Sequence, residues 1–145
     1  MFKTILVPID VSAPSVAAQQ LTLARTFASA EGSKIILLYV TADIPGYVEA
    51  YLPSDLRQSA RTEAKETLKA LAKANGLDEN AEVVLREGQP ARTIIDFAAE
   101  IGAELIVIAS HDPNLSDYLL GSTAARVVRH AGCSVFIARN LNGQN

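Results

Sequence analysis

The chain has 145 residues, 49% of them hydrophobic and 20% charged, a composition that fits one ordinary globular domain and excludes a disordered or low-complexity protein. Its 13 basic and 16 acidic residues leave a net charge of −3, which lacks the electrostatic footprint of a protein that binds nucleic acid or an anionic membrane surface. A single cysteine, Cys133, excludes an intrachain disulfide, and no apolar run is long enough to span a bilayer, so a cytoplasmic location is expected.

Residues 4–9 form the first continuous apolar run, with Pro8 near its end where ladder hydrogen bonding should stop. Asp10 follows, and residues 11–15 carry turn and cap chemistry, with Ser12 or Ala13 placed before a proline suited to a first helical turn. The helix is expected to run to about Ala30, with Val16, Gln20, Leu23, Ala24, Phe27 and Ala28 near one stripe. Residues 34–40 make a second strand, again apolar on both faces, as in a parallel sheet covered on both sides.

Residues 41–55 are punctuated by Pro45, Gly46 and Pro53 and carry Tyr47 and Tyr51; they read as a surface flap or a lid, with room for one helical turn. A long helix is expected over 56–75, with Leu56, Ala60, Ala64, Leu68, Leu71 and Ala72 as its apolar stripe. Arg57, Arg61, Lys65, Lys69 and Lys73 recur at every fourth position and read as a solvated face in an acidic chain. Residues 81–87 alternate, with Val83 and Leu85 on one parity, which suggests a less buried outer strand. Gly88, Gln89 and Pro90 break it, and a helix from Pro90 should bury Ile94, Phe97, Ala98 and Ile101 before ending at Gly102.

Residues 105–109 are a buried strand that leads into a polar loop containing Ser110, His111, Asp112, Pro113 and Asn114. Gly121, Ser122 and Thr123 then open a helix whose face should carry Ala124, Val127, Val128 and Ala131. Residues 134–139 form the fifth strand, with Cys133 beside it as a small buried residue, and 141–145 are a polar tail to a single domain spanning 1–140.

The strand-helix alternation implies right-handed crossovers and a Rossmann-like, doubly wound α/β domain: a five-stranded parallel sheet in the order 3-2-1-4-5 with helices on both faces. That order puts a switch point between the first and fourth strands, where ligands bind at the carboxyl ends. Pro8, Ile9 and Asp10 converge there with Ala109, Ser110, His111 and Asp112, and Val40 lies beside them. The unpartnered first amides of the helix opened by Gly121, Ser122 and Thr123 make an anion cradle, for which phosphate is the natural occupant. The same triplet also suits an ordinary helix cap, and the chain contains no GxxxxGK[ST] phosphate loop. His130, in a last helical turn, suits the helix dipole; His111 is placed for ligand contact rather than catalysis.

The segments MFKTILVPIDVS, REGQPARTIIDFA and IASHDPNLSDYLLGSTAARVVRHAGCSVFIAR resemble the universal stress protein family over the whole chain. ATP-binding members carry Gly-x2-Gly-x9-Gly-[Ser/Thr] before the last helix. Here Ala109 and Asp112 replace the first two glycines, the spacer is shortened to residues 113–120, and Gly121-Ser122 is intact, a form similar to a proteobacterial nucleotide-binding branch.

The resemblance implies ATP as ligand. The Val40 backbone would meet the adenine edge, and Asp10, Ile108 and Ala109 would lie near the ribose. Ser110, His111 and Asp112 would border the phosphates that Gly121, Ser122 and Thr123 hold. A carboxylate about 5 Å from a phosphate charge costs on the order of 3 kcal/mol at an effective dielectric near 20. Asp112 must therefore point away, share a Mg²⁺ with the phosphates, or mark a different ligand; Asp10 is the other carboxylate suited to such a Mg²⁺.

The expected function is that of a nucleotide-binding regulatory protein of the stress response, acting by binding. A slow ATPase or self-phosphorylating enzyme and a ligand-free dimeric interaction module are the alternatives. Val135, Phe136 and Ile137 are consecutive apolar residues in a strand at a sheet edge, so a homodimer paired through that strand is expected, as the resemblance also implies. The sequence names no protein partner.

Overall fold

The computed structural model describes residues 2–28, 32–42, 46–77, 81–110 and 120–139. Five strands, β1 (Thr4–Pro8), β2 (Lys34–Thr41), β3 (Ala81–Glu87), β4 (Leu105–Ala109) and β5 (Ser134–Ala138), form one parallel sheet in the order β3-β2-β1-β4-β5. The helices are α1 (Pro14–Phe27), the single turn α2 (Gly46–Glu49), α3 (Ser54–Ala74), α4 (Pro90–Ile101) and α5 (Ser122–His130). The doubly wound architecture and strand order expected from the sequence are those observed.

The alternation of each strand divides the core in two. Ile5 and Val7 of β1 point to the side covered by α1 and α3, where they meet Leu21, Ala24, Leu37, Leu68 and Val107. Leu6 points to the other side, with Ile36, Ile94, Phe97, Ile106 and Val127 under α4 and α5. The central strand is therefore buried on both faces, which is why its sequence shows no polar alternation. No helix among the described residues is long and apolar enough to cross a membrane.

Local details differ from the sequence reading where packing decides. On α1 the fully buried line is Ala17, Gln20, Leu21 and Ala24, while Leu23 and Phe27 are only partly buried. On α5, Val128 is exposed although Ala124 and Val127 are buried. On α3 Leu68 and Ala72 are buried and Leu71 packs against the core partly buried; Leu56 is 60% exposed and Ala60 is also exposed. The cause is length: 21 helical residues span about 31 Å, whereas the seven residues of β3 span about 23 Å, so the start of α3 overhangs the sheet. Tyr47 and Tyr51, in the segment before α3, are exposed.

Two glycines show why the breaks fall where they do. Gly102 ends α4 in the left-handed region at φ 66°. Gly88 has φ 148°, and a Cβ there would meet the Thr93 hydroxyl oxygen at 2.5 Å. Gln89 then caps α4, its side-chain oxygen accepting from the Arg92 amide at 2.7 Å. Cys133 is half-buried against the α4/α5 side of the core, and burial pushes its thiol pKa up, away from reactivity.

Candidate functional site

At the carboxyl end of the sheet, β1 and β4 part company. Their pairing covers only Ile5 with Leu105 and Leu6 with Ile106. Pro8 has no amide hydrogen to extend the ladder, and the space that opens is bridged by a side chain. Gln20, 2% exposed on α1, donates its amide to the Pro8 carbonyl at 2.7 Å and the Val107 carbonyl at 3.2 Å. One buried side chain thus satisfies a carbonyl from each of the two diverging strands.

Beyond this bridge lies a crevice of about 410 Å³. Pro8, Ile9, Asp10, Val40, Ile108, Ala109, Gly121 and Thr123 all line it, so the structure gathers eight of the residues singled out in the sequence at one place. Ser122 is exposed at the helix start and Ser110 is buried behind it; neither forms part of the crevice wall. His111 and Asp112 lie outside the described residues. Eight further residues also line it, among them Val16, Gln20, Tyr39 and Ile94, and none of these was read as a site residue.

Asp10 is held in place by Ser12. The Ser12 amide donates to Asp10 Oδ1 at 2.9 Å and the Ser12 hydroxyl donates to the same oxygen at 2.6 Å, a local turn that fixes the carboxylate just before α1. Among the described residues, the second carboxylate oxygen has no partner. Ser12 therefore orients Asp10, and Ala13 is the residue at the α1 cap, with no side-chain hydrogen bond.

On the opposite wall the backbone supplies the polar groups. The Ile9 amide donates to the Leu38 carbonyl at 2.8 Å on the β1 side of β2, and the Gly88 amide donates to the Thr41 carbonyl at 2.8 Å on the β3 side. Strand alternation then turns the N–H and C=O of Val40 toward β1, past the last ladder bond of that strand. Among the described residues neither group has a partner. A donor and an acceptor from one residue therefore face the crevice.

The third wall is the start of α5. The Ser110 amide donates to the Ala138 carbonyl at 3.0 Å, and the Gly121 amide donates to the Ser110 carbonyl at 3.2 Å, which ties the helix start to the ends of β4 and β5. Gly121 sits at the cap with φ −61° and ψ 154°, and no side chain caps the helix. The first intrahelical bond is the Ala125 amide to the Gly121 carbonyl at 2.9 Å. Among the described residues, the amides of Ser122, Thr123 and Ala124 have no hydrogen-bond partner and lie at the positive end of the helix dipole. No group of three or more His, Cys, Asp or Glu residues suited to a metal ion occurs among the described residues.

Comparison with known proteins gives one answer. The profile described as "Universal stress protein family" matches residues 1–139. Universal stress protein G of Escherichia coli O157:H7 is 32% identical over 146 residues, covering 96% of this chain and 100% of that protein. Among solved structures, universal stress protein UspA from Lactobacillus plantarum superposes with a TM-score of 0.74 at 27% identity, over 94% of this chain and 97% of that one. The universal stress protein from Archaeoglobus fulgidus, solved in complex with dAMP, shares the fold with a TM-score of 0.65 at 22% identity, over 92% of this chain and 95% of that one.

Proposed function

The chain belongs to the universal stress protein family, and from that premise we propose that it is an adenine-nucleotide-binding regulatory protein whose ligand is ATP. The observation that carries this reading is the pairing of two unsatisfied backbone sets across one crevice: the Val40 N–H and C=O on one side, the first amides of α5 on the other. The Val40 pair complements the N1 acceptor and N6 donor of adenine. The α5 amides complement phosphate. The Archaeoglobus relative's dAMP is a ligand of the same class. Asp10 lines the same crevice, and in this reading it accepts from a ribose hydroxyl or shares a Mg²⁺ that arrives with the phosphates. Mass spectrometry of the gently purified protein tests the ligand class directly: co-purifying ATP, ADP or AMP supports it, whereas an empty protein that takes up no ATP in calorimetric titration refutes it.

Asp10→Ala should weaken ATP by about tenfold, the worth of one hydrogen bond to a charged group, with the fold retained. Unchanged affinity in isothermal titration would place the ribose elsewhere.

The proposed assembly is a homodimer through β5. This edge strand carries Val135, Phe136 and Ile137, each partly buried; Phe136 packs inward on Phe27, with ring centroids 5.0 Å apart. Light scattering should give about 31 kDa at micromolar concentration, twice the 15.5 kDa of one chain. A species of one-chain mass would exclude the dimer.

A further inference from the structure

The opposite edge of the sheet carries a feature that nucleotide binding leaves unused. β3 pairs with β2 without interruption over seven positions, Ala81 to Glu87, and contains neither a proline nor a bulge. Its outer edge has no strand neighbour among the described residues. Because the Gly88 amide bonds inward to Thr41, alternation turns the N–H and C=O of Val83 and Leu85 outward. The contact of the Arg86 guanidinium with the Leu85 carbonyl, at 3.4 Å, agrees with that direction.

Beside this edge lies a cleft of about 620 Å³ between β3 and α3. Arg57, Arg61 and Lys65 of α3 line it, and no acidic residue does; Arg86 borders it from β3, with its guanidinium paired to Glu100 at 3.5 Å and 5.0 Å from the Phe97 ring of α4. This is a local concentration of positive charge in a chain of net charge −3. The spacing matters as much as the sign. Positions four apart on a helix advance about 6 Å, and positions two apart on a strand advance about 6.6 Å. Arg57, Arg61 and Lys65 therefore form a rail of cations whose period nearly matches the same-face side chains of a strand laid along β3.

We propose that the outer edge of β3 is a docking site for an extended acidic peptide, which adds as a sixth strand and presents alternate carboxylates to the α3 rail. The outward N–H and C=O of Val83 and the N–H of Leu85 supply the backbone hydrogen bonds, the Leu85 carbonyl joins them when the peptide displaces its 3.4 Å contact with Arg86, and the α3 cations select the charge. The exposed Arg61–Glu87 pair, at 3.8 Å, is exchanged for a pair with the peptide at little cost.

The test uses the whole protein and a fluorescent peptide of about eight residues alternating Glu and Val. Anisotropy should show binding that weakens with salt, and amide resonances of Val83 and Leu85 should shift on titration. The same peptide N-methylated at every second amide should not bind. A double variant Arg61→Glu, Lys65→Glu, changing two exposed side chains, should bind roughly tenfold more weakly with an unchanged circular dichroism spectrum. Equal binding of the N-methylated peptide, or of a Lys-Val peptide, would overturn the proposal, as would no binding at about 1 mM peptide. Displacement by inorganic polyphosphate with no shift at Val83 or Leu85 would make the cleft a simple anion patch and overturn it too. Dissociation of a dimer as the peptide binds would assign the edge to a second copy of the chain. Each readout is independent of ATP, so failure here leaves the nucleotide reading standing.

Discussion

Replacing Gly121 with Val should abolish measurable ATP binding while leaving the thermal midpoint nearly unchanged. Gly121 is buried at the crevice wall, and its backbone, at φ −61° and ψ 154°, is extended enough for a β-branched residue. The backbone conformation therefore tolerates the substitution. A worse helix cap costs up to about 1 kcal/mol, which moves the midpoint by no more than about 4 °C. The new isopropyl group instead occupies the approach to the Ser122 and Thr123 amides. Losing two charge-assisted hydrogen bonds to phosphate, each worth about 1.5–3 kcal/mol, weakens binding by roughly two to four powers of ten. Calorimetric titration with ATP, run beside a thermal melt, checks both halves of the expectation. Wild-type affinity in the variant would remove the α5 start from the site.

Gln20→Leu should lower stability by about 2–4 kcal/mol, and the midpoint by roughly 8–15 °C. The two residues have similar volume, so the loss is not one of packing. It comes from the part-buried carbonyl of Pro8 and the buried carbonyl of Val107, whose side-chain donor among the described residues disappears. Leaving each unsatisfied costs about 1–2 kcal/mol. Gln20→Glu distinguishes hydrogen bonding from shape. An ionised carboxylate has nothing to donate to two carbonyls, and burial raises its pKa in the folded state. That variant should be most stable below the unfolded carboxyl pKa and should lose stability as pH rises through the folded value. Melts of Gln20→Glu that do not vary with pH would show that the bridge contributes little.

The parallel sheet was legible because β1, β2 and β4 are apolar at successive positions, which only a strand covered on both faces tolerates. The crevice followed from topology: once β1 and β4 are neighbours, Asp10, Ala109 and Gly121 must meet at their ends. Two kinds of information were not in the pattern. Periodicity reports which residues share a helix face but not how far that face reaches, so Leu56 and Ala60 looked like core although α3 overruns the sheet. It also treats Gln20 as an anomaly in an apolar stripe, because its partners are carbonyls of two strands, one of them 87 positions away. A polar residue in the core stripe of the helix that follows a strand ending in Pro is the signal that could have found it. Topology put Val40 beside the crevice and the resemblance gave it the adenine edge; its outward backbone is a matter of register, which composition does not carry.

The central place of β1 also sets an order of events during synthesis. The N-terminal half-sheet β3-β2-β1 can assemble with α1 and α3 as soon as residue 87 has left the ribosome, since all its pairings are internal to that stretch. Its β1 edge, with Ile5 and Leu6, then waits for β4, whose last residue is Ala109. At about 5–20 residues per second, that wait lasts roughly 1–4 s. During it the chain exposes an apolar edge that the finished molecule buries completely, and the crevice does not yet exist. The switch point that makes a binding site in the native protein is thus, in the nascent chain, the interval of greatest exposure to chaperones and to misassembly with another unfinished copy.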